Sequence, residues 1–160
     1  MEELAYRRPF SGTVEEAVDR LTGELRSRGF GVLGTIPVHQ LLKEKLGREV
    51  DPLVILDVCS PAHAHRALTA SRDVALLLPC KLVVSREGGE TRIALQRPTV
   101  ALRAFFTQPE LEQLGAEVEQ ALADAVDAAS RERSSPARPP APEGNGRPRS
   151  RPRGPGRDGG

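Results

Sequence analysis

Two cysteines stand in this chain, each close to a proline, in Val58-Cys59-Ser60-Pro61 and Leu77-Leu78-Pro79-Cys80. A thiolate attacks electrophiles and binds soft metals, so such a pair opens nucleophilic and metal-ligating chemistry. The competing reading is packing, because free cysteine is among the most buried residue types and behaves as a small hydrophobe. His63 and His65 follow Cys59 in a predicted helix with Ser60 as N-cap and Pro61 at its first position. Residues two apart on a helix diverge, so His63 and His65 cannot grip one ion together. A site of Cys59, Cys80 and one histidine suits zinc or copper(I), but it lacks the close Cys-x-x-Cys or His-x-x-x-His spacing of a strong zinc signal. His39 has no partner in the sequence and is read as solvated.

The elements that must position these groups follow from periodicity. Thr13-Val14-Glu15-Glu16 is a capping box, and Val14, Ala17, Val18, Leu21 and Leu25 form one apolar stripe closed by Gly29. Val38, Leu41, Leu42 and Leu46 mark a short second helix ended by Gly47. Thr107-Gln108-Pro109-Glu110 opens a last helix with the stripe Leu111, Leu114, Val118, Leu122 and Ala125. Leu53 to Cys59 is a nearly continuous apolar run, as in a strand covered on both sides or central in its sheet. Lys81–Arg86 and Thr91–Gln96 alternate about Gly88-Gly89, a two-residue hairpin turn. That turn sets Val84 opposite Ile93, Leu82 opposite Leu95 and Cys80 opposite Arg97. A guanidinium beside Cys80 is expected to favour its thiolate.

Composition sets the bounds. The 160 residues hold four Phe, one Tyr and no Trp, so the core is aliphatic and a base-stacking surface is not expected. The net charge of +1 divides into +5 from Arg131 onward, eight arginines against three acids, and −4 before it. An acidic domain argues against nucleic acid as main partner, and only weak contacts through the basic tail are expected. Residues 131–160, built from Pro, Arg, Gly, Ser and Ala, are predicted to be a disordered tail behind a globular domain over 1–130. No apolar run approaches the ~20 residues of a membrane span, and no secretory signal opens the chain, so a cytoplasmic protein with free thiols is expected. Gly31 and Gly34 follow a helix and enter a strand, the reverse of a phosphate loop. Gly-x-Ser-x-Gly, His-Glu-x-x-His and Walker patterns are absent.

The pattern Cys59-x-Pro61-x-x-Ala64-x-x-Ala67-Leu68, followed by an apolar strand reached through Leu78-Pro79-Cys80, resembles the family called domain of unknown function 302 over about residues 10–128. Members often carry Asn where Ser60 and Lys81 stand here, and Asp where Arg97 precedes Pro98. The resemblance implies an α+β fold, an antiparallel sheet of about five strands with helices packed mainly on one face, similar to the TATA-binding-protein-like fold in single copy. It also implies a homodimer, and that both cysteine positions matter without saying for what. The expected ligand-binding residues are Cys59, Cys80, Arg97 and His65, with no catalytic residue, metal or cofactor assigned. Three functions stay open: a small binding or sensing module with a two-cysteine pocket, a thiol-based enzyme or sulfur carrier using Cys80, and a purely structural partner domain.

Overall fold

The computed structural model describes residues 3–131. The predicted tail, apart from Arg131, lies outside the described residues. Along the chain run β1 (Ala5–Phe10), α1 (Val14–Ser27), β2 (Gly31–Pro37), α2 (Val38–Leu46), β3 (Leu53–Cys59), α3 (Pro61–Ala70), a 3-10 segment (Arg72–Leu77), β4 (Cys80–Glu87), β5 (Glu90–Gln96), α4 (Pro98–Phe105) and α5 (Pro109–Ser130). The five strands form one antiparallel sheet in the order β1-β5-β4-β3-β2.

Strand alternation divides the sheet into two faces. Val54, Leu56 and Val58 of β3, Leu82 and Val84 of β4, and Ile93 and Leu95 of β5 point to one side and are all buried. The helices α1 and α5 cover that side and pack against each other. Their predicted stripes meet the sheet: Val14, Ala17, Leu21 and Leu25 from α1, and Leu111, Leu114, Val118, Leu122 and Ala125 from α5. Thr13 caps α1 by accepting from the Glu16 N–H at 3.1 Å. Gly88 and Gly89 sit at φ 57° and 84°, as a tight hairpin between right-twisted strands requires, and the turn sets Glu87 opposite Glu90. Burial alternates along β3, whose place inside the sheet, not cover on both faces, accounts for its apolar run.

Three features depart from or add to the pattern reading. Pro98–Phe105 forms a helix of its own, α4, too short for its period to stand out against the end of β5. The apolar stripe of α2 buries no residue, and Leu41 and Leu46 are exposed. His39, expected in solvent, accepts the Leu53 N–H through Nδ1 at 3.1 Å and ties the start of α2 to β3.

Candidate functional site

Cys59 closes β3 and Cys80 opens β4, and the two strands are neighbours: Cys80 lies opposite Val58. The residue before the first cysteine thus sits beside the second, which brings both thiols to one end of the sheet. They line a single cleft of about 60 Å³ on the helical side, roofed by α3, α4 and α5. Its walls are almost entirely apolar, with Val58, Leu78, Leu102 and Val118 among them, while Ser60 and His63 supply the polar atoms near Cys59. Gly115 contributes bare backbone there; a Cβ at this position would come within 3.0 Å of Leu102 Cδ1, so its absence lets α4 approach α5. The Leu78–Pro79 peptide leading into Cys80 is cis.

Both cysteines are free thiols. Burial pushes the Cys59 thiol up, and it pushes Cys80 up to about 11, with a further contribution from charge on Cys59. Removing a sulfur from water disfavours its anion, and a second anion nearby disfavours it again. The activation expected of Arg97 is therefore not realised. The hairpin register holds as far as Leu82 opposite Leu95, but the strand pair does not extend to Cys80 and Arg97. Instead the Arg97 N–H bonds to the Leu4 carbonyl at 2.8 Å, beyond the paired residues of β1, and its Nε donates to Glu119 Oε1 at 2.9 Å. Glu119 also accepts from the Thr99 N–H at 3.0 Å and from the Thr99 hydroxyl, so Arg97 and Glu119 brace the start of α4 on α5. Burial alone would raise the Glu119 carboxyl, but these bonds outweigh it and hold the group below its usual range.

The histidine at the cleft is His63 and not His65. His65 lies exposed on another side of α3 and borders a separate shallow depression with Arg66 and Thr69. His63 Nδ1 is 2.8 Å from Ser60 Oγ, and its ring stacks on Phe30 with centroids 5.8 Å apart and planes 13° off parallel. Its Nε2 faces Glu117 Oε2 at 3.9 Å, and Arg66 grips that carboxylate at 2.7 and 3.3 Å. The hydrogen bonds from Arg66 hold the Glu117 carboxyl below its usual range. Ser60 was legible as an N-cap, yet its side chain makes no capping bond. The three-residue spacing of Ser60 and His63 at a helix start was the available signal for their contact. Among the described residues no group of three or more His, Cys, Asp or Glu side chains is placed to hold a metal ion, and no helix is long and apolar enough to cross a membrane.

The fold defines a class: an α+β domain of one antiparallel sheet, covered by helices on one face. A family model described as Domain of unknown function DUF302 matches residues 6–129, and the chain belongs to that family. A crystal structure of an uncharacterized conserved DUF302 protein from Bacillus stearothermophilus is similar at 37% identity and a TM-score of 0.76, over 81% of this chain and all of that one. No curated protein matches in sequence.

Proposed function

We propose that this domain is a small binding module that admits an apolar group to the cleft between the ends of β3 and β4 and helices α3 to α5, with Cys59 and Cys80 as contacts, and that it works as a homodimer. The carrying observation is the cleft's lining: an apolar recess of about 60 Å³ lined by both cysteines, with the Cys80 thiol pushed up to about 11 by burial. Concave apolar sites with few polar groups are where small ligands bind. A protonated thiol in such a place is a soft, weakly polar wall. On the scale at which a cavity of ~150 Å³ takes benzene, this one takes roughly two to four carbons. At ~0.8 kcal/mol per buried methylene, three such groups contribute roughly 2–3 kcal/mol, so a bare hydrocarbon chain binds only in the millimolar range or weaker. A natural ligand needs further contacts at the mouth. His65 and Arg97 lie away from the recess and stand outside the proposal. A Cys80 thiolate nucleophile is disfavoured, because its anion is scarce near neutral pH.

The homodimer is supported by exposed apolar side chains in the chain segment that begins at edge strand β2. A register shift between Val32 and Gly34 turns Leu33 outward, 68% exposed, and Leu41, Leu46 and Val50 are exposed nearby in the chain. An open edge strand with exposed apolar side chains on and after it favours pairing with a second copy. Titration with 1-butanol, followed by amide NMR, is expected to shift resonances around Ala64, Cys80 and Gly115, and Ala64→Leu to abolish the shifts. Wild-type spectra unmoved at the highest tolerated alcohol concentration would refute the binding reading. Sedimentation equilibrium tests the pairing: a wild-type dimer weakened by Leu33→Glu is expected, and a wild-type monomer at all concentrations overturns it.

A further inference from the structure

One polar cluster at this cleft has no role in holding a passive apolar ligand. Ser60 is buried, stands at the N-cap of α3, and should by type lend its oxygen to the N–H groups of the helix's first turn. Its hydroxyl is instead turned onto His63 Nδ1 at 2.8 Å. With Nδ1 accepting from the hydroxyl, the ring proton sits on Nε2, the nitrogen that faces Glu117 Oε2 at 3.9 Å. The flat stack on Phe30 fixes the imidazole plane. A hydroxyl held by an imidazole, which a carboxylate faces from the other side, is the arrangement that activates an alcohol as a nucleophile. Because the side chain of Ser60 does not cap α3, its hydroxyl is free of the competing first-turn N–H groups and is given over to His63. Both Ser60 and His63 line the apolar recess, which has room for a short acyl chain.

The geometry points to acyl transfer: Ser60 as nucleophile and His63 as general base and acid, with Glu117 a positioning residue, acting on short-chain carboxylic esters whose acyl group occupies the cleft. This inference rests on the preceding reading that the recess admits an apolar group. Ser60 Oγ attacks the carbonyl carbon as its proton passes to His63 Nδ1, and the carbonyl electron pair moves onto oxygen. Collapse of that oxyanion breaks the bond to the alcohol, which leaves with the proton from Nδ1. Water, deprotonated by Nδ1, then attacks the acyl-serine, returning Ser60 and releasing the carboxylic acid. Ester and water become acid and alcohol, with no change of oxidation state.

The test uses the full chain with p-nitrophenyl butyrate. Turnover above the buffer rate is expected, falling about a hundredfold or more in Ser60→Ala and in His63→Gln, and persisting in His65→Gln, a change outside the recess. Glu117→Gln is expected to lower kcat while KM stays unchanged. A fluorophosphonate, which loses fluoride as serine oxygen bonds to phosphorus, should label the wild-type protein at Ser60 by peptide mass spectrometry, a readout needing no variant to fold. Label on another residue, or wild-type turnover equal to that of Ser60→Ala, overturns the proposal. Amide NMR of Ser60→Ala with the same ester separates the two readings. Cleft shifts without wild-type turnover defeat acyl transfer and leave the binding site standing, whereas neither shifts nor turnover defeats both.

Discussion

Cys80 offers the sharpest quantitative test, because its burial makes opposite claims from those of a reactive cysteine. With its thiol pushed up to about 11 from an ordinary 9.0, the thiolate at pH 7 falls from roughly one part in a hundred to roughly one in ten thousand. Alkylation by iodoacetamide, which needs the thiolate, is therefore expected to run about a hundredfold slower at Cys80 in the native chain than in 8 M urea, before any slowing by restricted access. Peptide mass spectrometry after timed quenching reads the two cysteines separately. Arg97→Gln should leave the Cys80 rate unchanged, because Arg97 is engaged by Glu119. Cys59→Ala should raise it only modestly, since the charge on Cys59 is the lesser cause and burial the greater. The same shift has a stability consequence of definite sign. A proton held more tightly in the fold than in the unfolded chain stabilises the fold fully below about pH 9, and that contribution is lost as pH rises through 11. The complete loss is roughly 3 kcal/mol, with about a tenfold change in the folding equilibrium already reached by pH 10. Urea unfolding of wild type and Cys80→Ala between pH 8 and pH 11 isolates this group from other alkaline titrations. If the two proteins lose stability in parallel, or if native Cys80 is alkylated at pH 7 as fast as in urea, the burial argument is refuted.

Other outcomes are expected on the same physical grounds. Glu119→Gln should lower stability by about 2 kcal/mol at neutral pH by weakening its bonds to Arg97 and Thr99. Because the folded carboxyl lies below its usual range, the wild-type advantage should shrink as pH falls through that lowered value, as acid unfolding of the two proteins would reveal. Gly115→Val should cost about 1–3 kcal/mol, since even a Cβ there comes within 3.0 Å of Leu102, and thermal melts would register the loss. Leu122→Ala, at a fully buried position of α5, should cost about 2–5 kcal/mol in urea unfolding.

Local rules made much of this architecture legible. The period of α1 and α5 named their buried stripes before any partner was known, because a helix face repeats every 3.6 residues whatever it packs against. Gly88-Gly89 set the β4–β5 register, because a two-residue turn leaves the following pairs no freedom until a strand ends. That limit marks where the inference stopped working: two residues beyond Leu82 the β4–β5 pairing has ended, and Arg97 turns to β1 and α5. The charge of Arg97 was plain in the chain, but the carboxylate that would claim it lay 22 residues away on a helix whose rotation depends on the whole core. Cys59 and Cys80, 21 positions apart, share a cleft only because β3 and β4 are neighbours in register. The choice of His63 over His65 followed from the side of α3 that faces Phe30 and α5. Periodicity and turn chemistry are properties of neighbouring residues and can be read along a sequence. Which thiol is dehydrated, which cation is engaged and which imidazole faces the cleft depend on groups brought close only by packing, where desolvation and short-range charge act.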